Sequence, residues 1–172
     1  MLNIKTHFSN NWLTAKNIYI RGTMFEGDHQ LSSQEMLEKI NSLSITEVVD
    51  FLCELNGFFS VISIKENEGW MAVDRIRSFP IFYGKQEDQL FISDDARWIK
   101  EQVKDRNMDP VAQEEFFLTG FVTGSDSLFT NVKQMQAGEV IFFCVQREGN
   151  ISIKSQRYYH YSHDDYFDMN EG

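Results

Sequence analysis

Cysteine and proline are scarce in this 172-residue sequence, with two of each. Two cysteines exclude the disulfide framework of a small secreted domain. Cys53 and Cys144 lie in the apolar contexts FLCEL and FFCVQ, so both are expected as buried, reduced thiols. Two prolines exclude Pro-rich linkers. Cations are also few: 16 Lys and Arg against 26 Asp and Glu leave a net charge of −10. Such a surface repels a phosphate backbone, so no nucleic-acid partner is expected. No run reaches the roughly 18–20 apolar residues of a membrane-spanning helix. The opening MLNIKTHFSNNW has no apolar core of signal-peptide type. The sequence reads as cytoplasmic, with no membrane partner.

Apolar and aromatic residues are plentiful. A hydrophobic share of 42% and 15 Phe supply enough material for one packed domain. Residues 1–16 read as polar and irregular. Asn17 to Glu26 reads as a strand broken by Gly22. Ser32 and Glu35 form a capping-box signature ahead of a helix whose stripe is Met36, Leu37 and Ile40. Ser44 and Glu47 repeat that signature before a second helix running through Leu55. A hairpin is expected over GFFSVISIK and Trp70 to Arg75, turning at Glu66–Gly69. Two short strands follow at Ile81–Tyr83 and Leu90–Ile92. Asp94 and Asp95 are expected to cap the next helix. Asp109-Pro110 opens another, closed by Gly120. A last hairpin pairs Glu139–Gln146 with Asn150–Arg157 through Arg147-Glu148-Gly149. Strand groups alternating with helix groups predict an α+β fold with mostly antiparallel sheets.

Three motifs stand in order between Leu55 and Trp98. Leu55-Asn56-Gly57-Phe58-Phe59-Ser60 fits L-x-G-x-F-[AS]. Asp74-Arg75 with Pro80, Ile81, Phe82 and Tyr83 fits D-R-x-x-x-x-P-[IL]-[FY]-Y. Phe91, Ser93 and Asp94 fit F-x-S-[DE]. A fourth block runs from Phe116 through Gly120, Phe121, Leu128, Phe129 and Val132 to Gly138, and Arg157-Tyr158-Tyr159 closes the series. Together these resemble the N-terminal glutaminase domain of the asparagine synthetase family, a class II glutamine amidotransferase of the N-terminal-nucleophile type. The resemblance implies an α/β/β/α sandwich, here with a shortened first half. It implies a domain over 1–158, and a tail over 159–172 that begins a linker to an ATP-pyrophosphatase domain. In that family the glutaminase passes ammonia to such a domain, which adenylates a carboxylate and forms an amide.

The family's chemistry is altered in this sequence. Its nucleophile is an N-terminal Cys whose own α-amino group is the general base; here Leu2 follows Met1. Cys53 and Cys144 are internal to a helix and a strand, so neither carries a free amine. The family stabilises the oxyanion with an Asn-Gly-Glu strand end, where this chain has Arg21-Gly22. One lost oxyanion donor costs about 10²–10³ in rate. The family's Ser-Asp-x-Glu, which binds the substrate's ammonium, reads Ser33-Gln34-Glu35 here, so Ser33 or Gln34 replaces the acid. No catalytic residue is assigned. Arg21, Gly22, Ser33 and Gln34 are the residues of a vestigial pocket. Asn56, Gly57, Asp74, Arg75, Pro80, Tyr83, Ser93 and Asp94 are structural, with Asp74 and Arg75 expected as an ion-paired scaffold.

Other signals are weak. Thr123 to Ser127 has one Gly and follows a helix, unlike a phosphate loop between strand and helix. His160 and His163 with Asp164 and Asp165 have i, i+3 spacing for a metal, but read as a solvated tail, so no metal is expected. No cofactor is expected in this domain; ATP and Mg²⁺ belong to a linked synthetase domain. The expected function is a non-catalytic scaffold that docks an ATP-pyrophosphatase domain in cis or in trans. A second copy of the chain is the other partner the pattern admits, covering an open sheet edge. Two alternatives stay open: a stand-alone module binding an amino acid or anion near Arg21, and residual glutamine amidotransferase activity with a nucleophile uncovered by cleavage at Gly22-Thr23.

Overall fold

A computed structural model describes residues 3–146 and 150–161. Leu2, the turn at 147–149 and the tail with His163, Asp164 and Asp165 lie outside the described residues. The elements run β1 (Ile4–His7), β2 (Leu13–Ala15), β3 (Ile18–Glu26), β4 (His29–Gln30), α1 (Ser33–Ser42), α2 (Val48–Glu54), β5 (Leu55–Ile64), β6 (Glu68–Val73), β7 (Phe82–Gln86), β8 (Gln89–Ser93), α3 (Ala96–Gln102), α4 (Pro110–Thr119), β9 (Lys133–Gln134), β10 (Glu139–Val145) and β11 (Ile151–Arg157).

They form two sheets. The larger follows the order β11-β10-β6-β5-β3-β2, with β4 beside β3, and the smaller follows β1-β8-β7-β9. All pairings are antiparallel except that of β1 with β8. Alternation along each strand sorts the apolar residues into layers. In the larger sheet Ile20, Phe59, Val61, Trp70, Ala72 and Val140 face Met36 and Ile40 of α1 and Val48 and Leu52 of α2. Their neighbours Ile62, Met71, Val73, Ile141 and Phe143 face Leu90 and Ile92 of the smaller sheet and Ile81 just before β7. The outer side of the smaller sheet, with Phe82 and Phe91, packs against Ile99 and Val103 at α3. The layers are therefore α/β/β/α, as the sequence resemblance implied. At Gly84 an added Cβ would lie 2.8 Å from Ile99 and Val103, so the absent side chain lets α3 seat on β7.

Local signals explain most element ends. Ser32 and Glu35 make the capping box of α1, with the Ser32 amide donating to Glu35 at 2.8 Å. The carboxyl of Glu35 is lowered to about 2 by the Ser32 hydroxyl, the Ser32 amide and His29. Asp109 caps α4 through the amides of Val111 and Ala112, and Gly120 closes it in the left-handed region.

Several expectations need correction. Residues 1–16 are not irregular: β1 and β2 lie there, too short and too half-exposed for alternation to stand out. Gly22 does not break its strand; β3 runs through it in register with β5. Ser44 does bond Glu47, but α2 begins only at Val48 and has no side-chain cap. The β5–β6 turn is tighter than expected: Lys65 closes on Glu68, and Gly69 is already in β6. Cys53 and Cys144 are exposed, because apolar neighbours on alternating or helical faces do not fix which way the thiol points.

Candidate functional site

The expected pocket residues Arg21 and Gly22 lie on β3, and the motif residue Asp94 directly follows β8. On β3, Tyr19 reaches the core between the sheets, and Arg21, two residues on, points the same way toward the sandwich mouth. On β8, Ile92 faces that core, and Asp94, just past the strand end, continues on its side. The two side chains meet, with Arg21 Nη1 3.2 Å from Asp94 Oδ2. This contact ties the two sheets together at one end of the sandwich.

The N-terminal segment closes the cluster. Trp12 Nε1 donates to Asp94 Oδ2 at 3.0 Å, and the Ser9 amide donates to Oδ1 at 3.0 Å. The Ser9 hydroxyl also donates to Oδ2. Arg21 Nη1 reaches Ser9 Oγ at 3.5 Å, and its guanidinium lies 4.7 Å over the Phe79 ring. The Asp94 side chain is only 6% exposed and that of Arg21 27%. Burial alone would push the Asp94 carboxyl up, but the hydrogen bonds from Ser9 and Trp12 outweigh it and hold it below the ordinary value. The carboxylate is therefore charged, and it neutralises the arginine.

Gly22 makes the packing behind this cluster. Its φ is +98°, and an added Cβ would lie 1.9 Å from the Phe58 carbonyl and 2.6 Å from the Phe79 ring. Only glycine allows β5 and Phe79 to approach so closely. Phe79 is held in turn by its carbonyl, which accepts from Ser60 Oγ at 2.5 Å.

An oxyanion hole needs donors aimed at free space beside a nucleophile. Here the Nη1 of Arg21 is spent on Asp94 and Ser9, and an aromatic ring covers the guanidinium. An anion-binding role at Arg21 would need that cation unpaired, and Asp94 removes this condition. The other vestigial candidates are not drawn in. Ser33 and Gln34 are exposed on the first turn of α1, and Gln34 Nε2 donates to Glu38 at 2.6 Å. The Gly22-Thr23 bond lies in the middle of β3, opposite Phe59 and Phe58 of β5. Cys53 is in α2 and Cys144 in β10. Among the described residues no group of three His, Cys, Asp or Glu could hold a metal ion. No helix among them is long and apolar enough to cross a membrane.

The residues of the family motifs divide by role. Asp74 is fully buried and accepts the amides of Phe59 at 3.0 Å, Ser78 at 2.9 Å and Ile76 at 2.9 Å. It is not paired with Arg75, contrary to the expected ion pair. Arg75 Nη2 instead donates to the carbonyls of Cys53 and Leu55, both at 3.1 Å, and the guanidinium stacks on Tyr159 at 4.8 Å. Both residues organise backbone, which opposite charges in sequence do not reveal. Ser93 Oγ donates to the His7 carbonyl at 2.5 Å and so ties β8 to β1. Asn56 Oδ1 accepts the Gly57 amide at 2.9 Å, where Gly57 has φ +122° beside Thr23. Tyr83 borders the inter-sheet core, where burial, then the charges of Glu139 and Asp126, push its phenol up to about 12. Pro80 is exposed ahead of the fully buried Ile81. Asp95 alone caps α3, accepting from the Arg97 amide at 2.8 Å; Asp94 does not share that task. Sequence reasoning missed Ser9, Trp12 and Phe79. The one available signal was Trp12, a large aromatic in an otherwise polar segment.

The α/β/β/α sandwich and its strand-end motifs define an amidotransferase-type domain. The family model for the glutamine amidotransferase domain matches residues 18–159, and the chain belongs to that family. Among solved structures the chain resembles glutamine phosphoribosylpyrophosphate amidotransferase from B. subtilis, a complex with ADP and GMP, at 16% identity and a TM-score of 0.37. That likeness covers 86% of this chain and 31% of the other, so this chain spans about a third of its length. No curated protein matches.

Proposed function

We propose that this domain does not hydrolyse glutamine and serves as a scaffold in an ATP-dependent amide ligase of the asparagine synthetase type, docking an ATP-pyrophosphatase domain in cis or in trans. The observation that carries this reading is the Arg21–Asp94 contact. It covers the guanidinium of Arg21 with a carboxylate and an aromatic ring, whereas glutaminase chemistry needs open donors and a nucleophile. The positions of Cys53 and Cys144 support it, since a cysteine inside a helix or strand has no α-amino group to act as its base.

A docking role also needs a surface. The end of α4 offers one: Phe117 is 82% exposed and Leu118 86%, with Phe121 exposed just past the helix. Large apolar groups grouped in this way mark a contact face more often than chance exposure does.

Glutamate release from glutamine, measured on the purified protein, tests the central claim. Release no faster than a blank is the expected result, and turnover typical of an amidotransferase sinks the proposal. Pull-down of an ATP-pyrophosphatase domain by the wild-type domain, lost in the double variant Phe117→Glu, Leu118→Glu, tests the docking face.

A further inference from the structure

A second arginine, Arg77, stands in a setting opposite to that of Arg21. It lines a cavity of about 280 Å³ whose walls include Phe82, Phe116, Phe121 and Phe129 together with the polar Ser127 and Gln134. The cavity lies on the outer side of the smaller sheet, between the start of α3 and the α4 region. Among its aromatic walls, Phe116 and Phe121 still show 42% and 58% of their surface to solvent. An apolar occupant would cover that surface.

The polar end of the cavity is fixed in advance. Gln134, 8% exposed, accepts from Arg77 Nη1 at 2.9 Å through Oε1. The same nitrogen donates to the Met135 carbonyl at 3.2 Å. Gln134 Nε2 donates to the carbonyls of Val122 at 3.1 Å and Gly124 at 3.3 Å, so one buried amide holds both the arginine and the loop after Phe121. Among the described residues no carboxylate pairs with Arg77, and no hydrogen bond engages its Nη2 or Nε. A guanidinium offers five N–H donors, so a planar pair of N–H groups stays available.

Arg77 has φ +58°, in the left-handed region that glycine adopts freely and that Lys16, Glu87 and Lys104 share, so glycine fits its backbone.

The geometry points to a binding site for a small apolar carboxylic acid, with its aromatic or branched body among Phe82, Phe116, Phe121 and Phe129 and its carboxylate on Arg77. A bidentate guanidinium–carboxylate contact matches the free donor pair. The cavity volume suits a body about the size of a hydrophobic amino-acid side chain. This inference uses none of the residues of the Arg21 cluster, although Phe121 also belongs to the proposed docking face at α4.

Titrating the full chain with phenylacetate and with phenylacetamide, by calorimetry and by mapping backbone NMR shifts, tests it. Phenylacetate is expected to bind at least about tenfold more tightly than the uncharged amide, with shifts centred on Phe82 and Phe129. Arg77→Gly removes the guanidinium and suits the backbone, so the variant folds; its affinity for phenylacetate should fall to that of the amide. Equal binding of acid and amide to the wild-type chain overturns the site. So does undiminished binding of the acid by Arg77→Gly, or no binding of phenylacetate or 4-methylpentanoate at millimolar concentration.

Discussion

Asp74 and Asp94 stand at matching places, each directly after a strand, one in the larger sheet and one in the smaller. Asp74 is fully buried and the Asp94 side chain is largely covered, and they do different work. Asp74 accepts three backbone amides, two of them within four residues of itself, and so builds the turn that carries Phe79 and Pro80. Asp94 accepts from Ser9 and Trp12 and pairs with Arg21, so it gathers parts of the chain up to 85 residues apart. A carboxylate that serves backbone is part of how the domain folds. A carboxylate that gathers side chains from distant segments decides how the two sheets are joined.

Breaking the first kind should cost most. Asp74→Ala leaves three amides without their acceptor, two of them in a tight turn, and should lower unfolding free energy by about 3–5 kcal/mol in urea titration. Asp74→Asn keeps one acceptor oxygen and should cost clearly less. If the alanine variant lost under about 1 kcal/mol, the turn would not depend on Asp74.

Gly22→Ala comes next. A methyl group so close to the Phe58 carbonyl, at a φ that alanine resists, should cost about 2–4 kcal/mol. The displaced Phe79 ring should also expose Arg21 and change tryptophan fluorescence, through Trp12.

Asp94→Asn should cost less, about 1–2 kcal/mol, because the amide can still accept one hydrogen bond. Its pH signature separates it from a mere packing change. The folded carboxyl is lowered, so its contribution is complete above the unfolded value of about 3.9 and fades as pH falls through the folded value. Wild-type stability should therefore drop more steeply than that of Asp94→Asn as acid is added below about pH 4. Parallel curves would show that Asp94 does not bind its proton more weakly in the folded state. Arg21→Ala combined with Asp94→Asn should be less than additive, as expected for partners in contact.

The smallest effect belongs to α4. Phe117→Glu with Leu118→Glu changes two exposed side chains and should leave stability within about 0.5 kcal/mol per site. A larger loss would mean that this turn supports the domain itself and is not a free contact face.

Much of this was legible along the chain. Ser32 with Glu35, and Asp109 with Pro110 and Gly120, act on neighbours a few residues away, so their spacing alone places two helices. The apolar runs of β5, β6 and β10 marked them as strands, but being apolar on both faces they did not show which residues face each way. The strand-end motifs carried the family, and with it the layers. Arg21 was legible as the residue at the motif position where the resemblance expects an oxyanion asparagine. Its partners were not, since nothing in SNNW or SDD says that Ser9, Trp12 and Asp94 converge. The same holds for Gln134, one amide in a polar stretch until folding sets it between Arg77 and the loop at 122–124. The exposure of Cys53 and Cys144 also escaped, because apolar neighbours describe a segment and not the direction of one side chain.

The sequence by itself determined the α+β class and the family, because those rest on short-range spacing and on residue types at motif positions. Tertiary structure alone decided that Arg21 is neutralised and Arg77 is not. That difference depends on which carboxylate the fold brings within about 3 Å of a guanidinium, and partners distant in sequence meet only when two sheets close on one another.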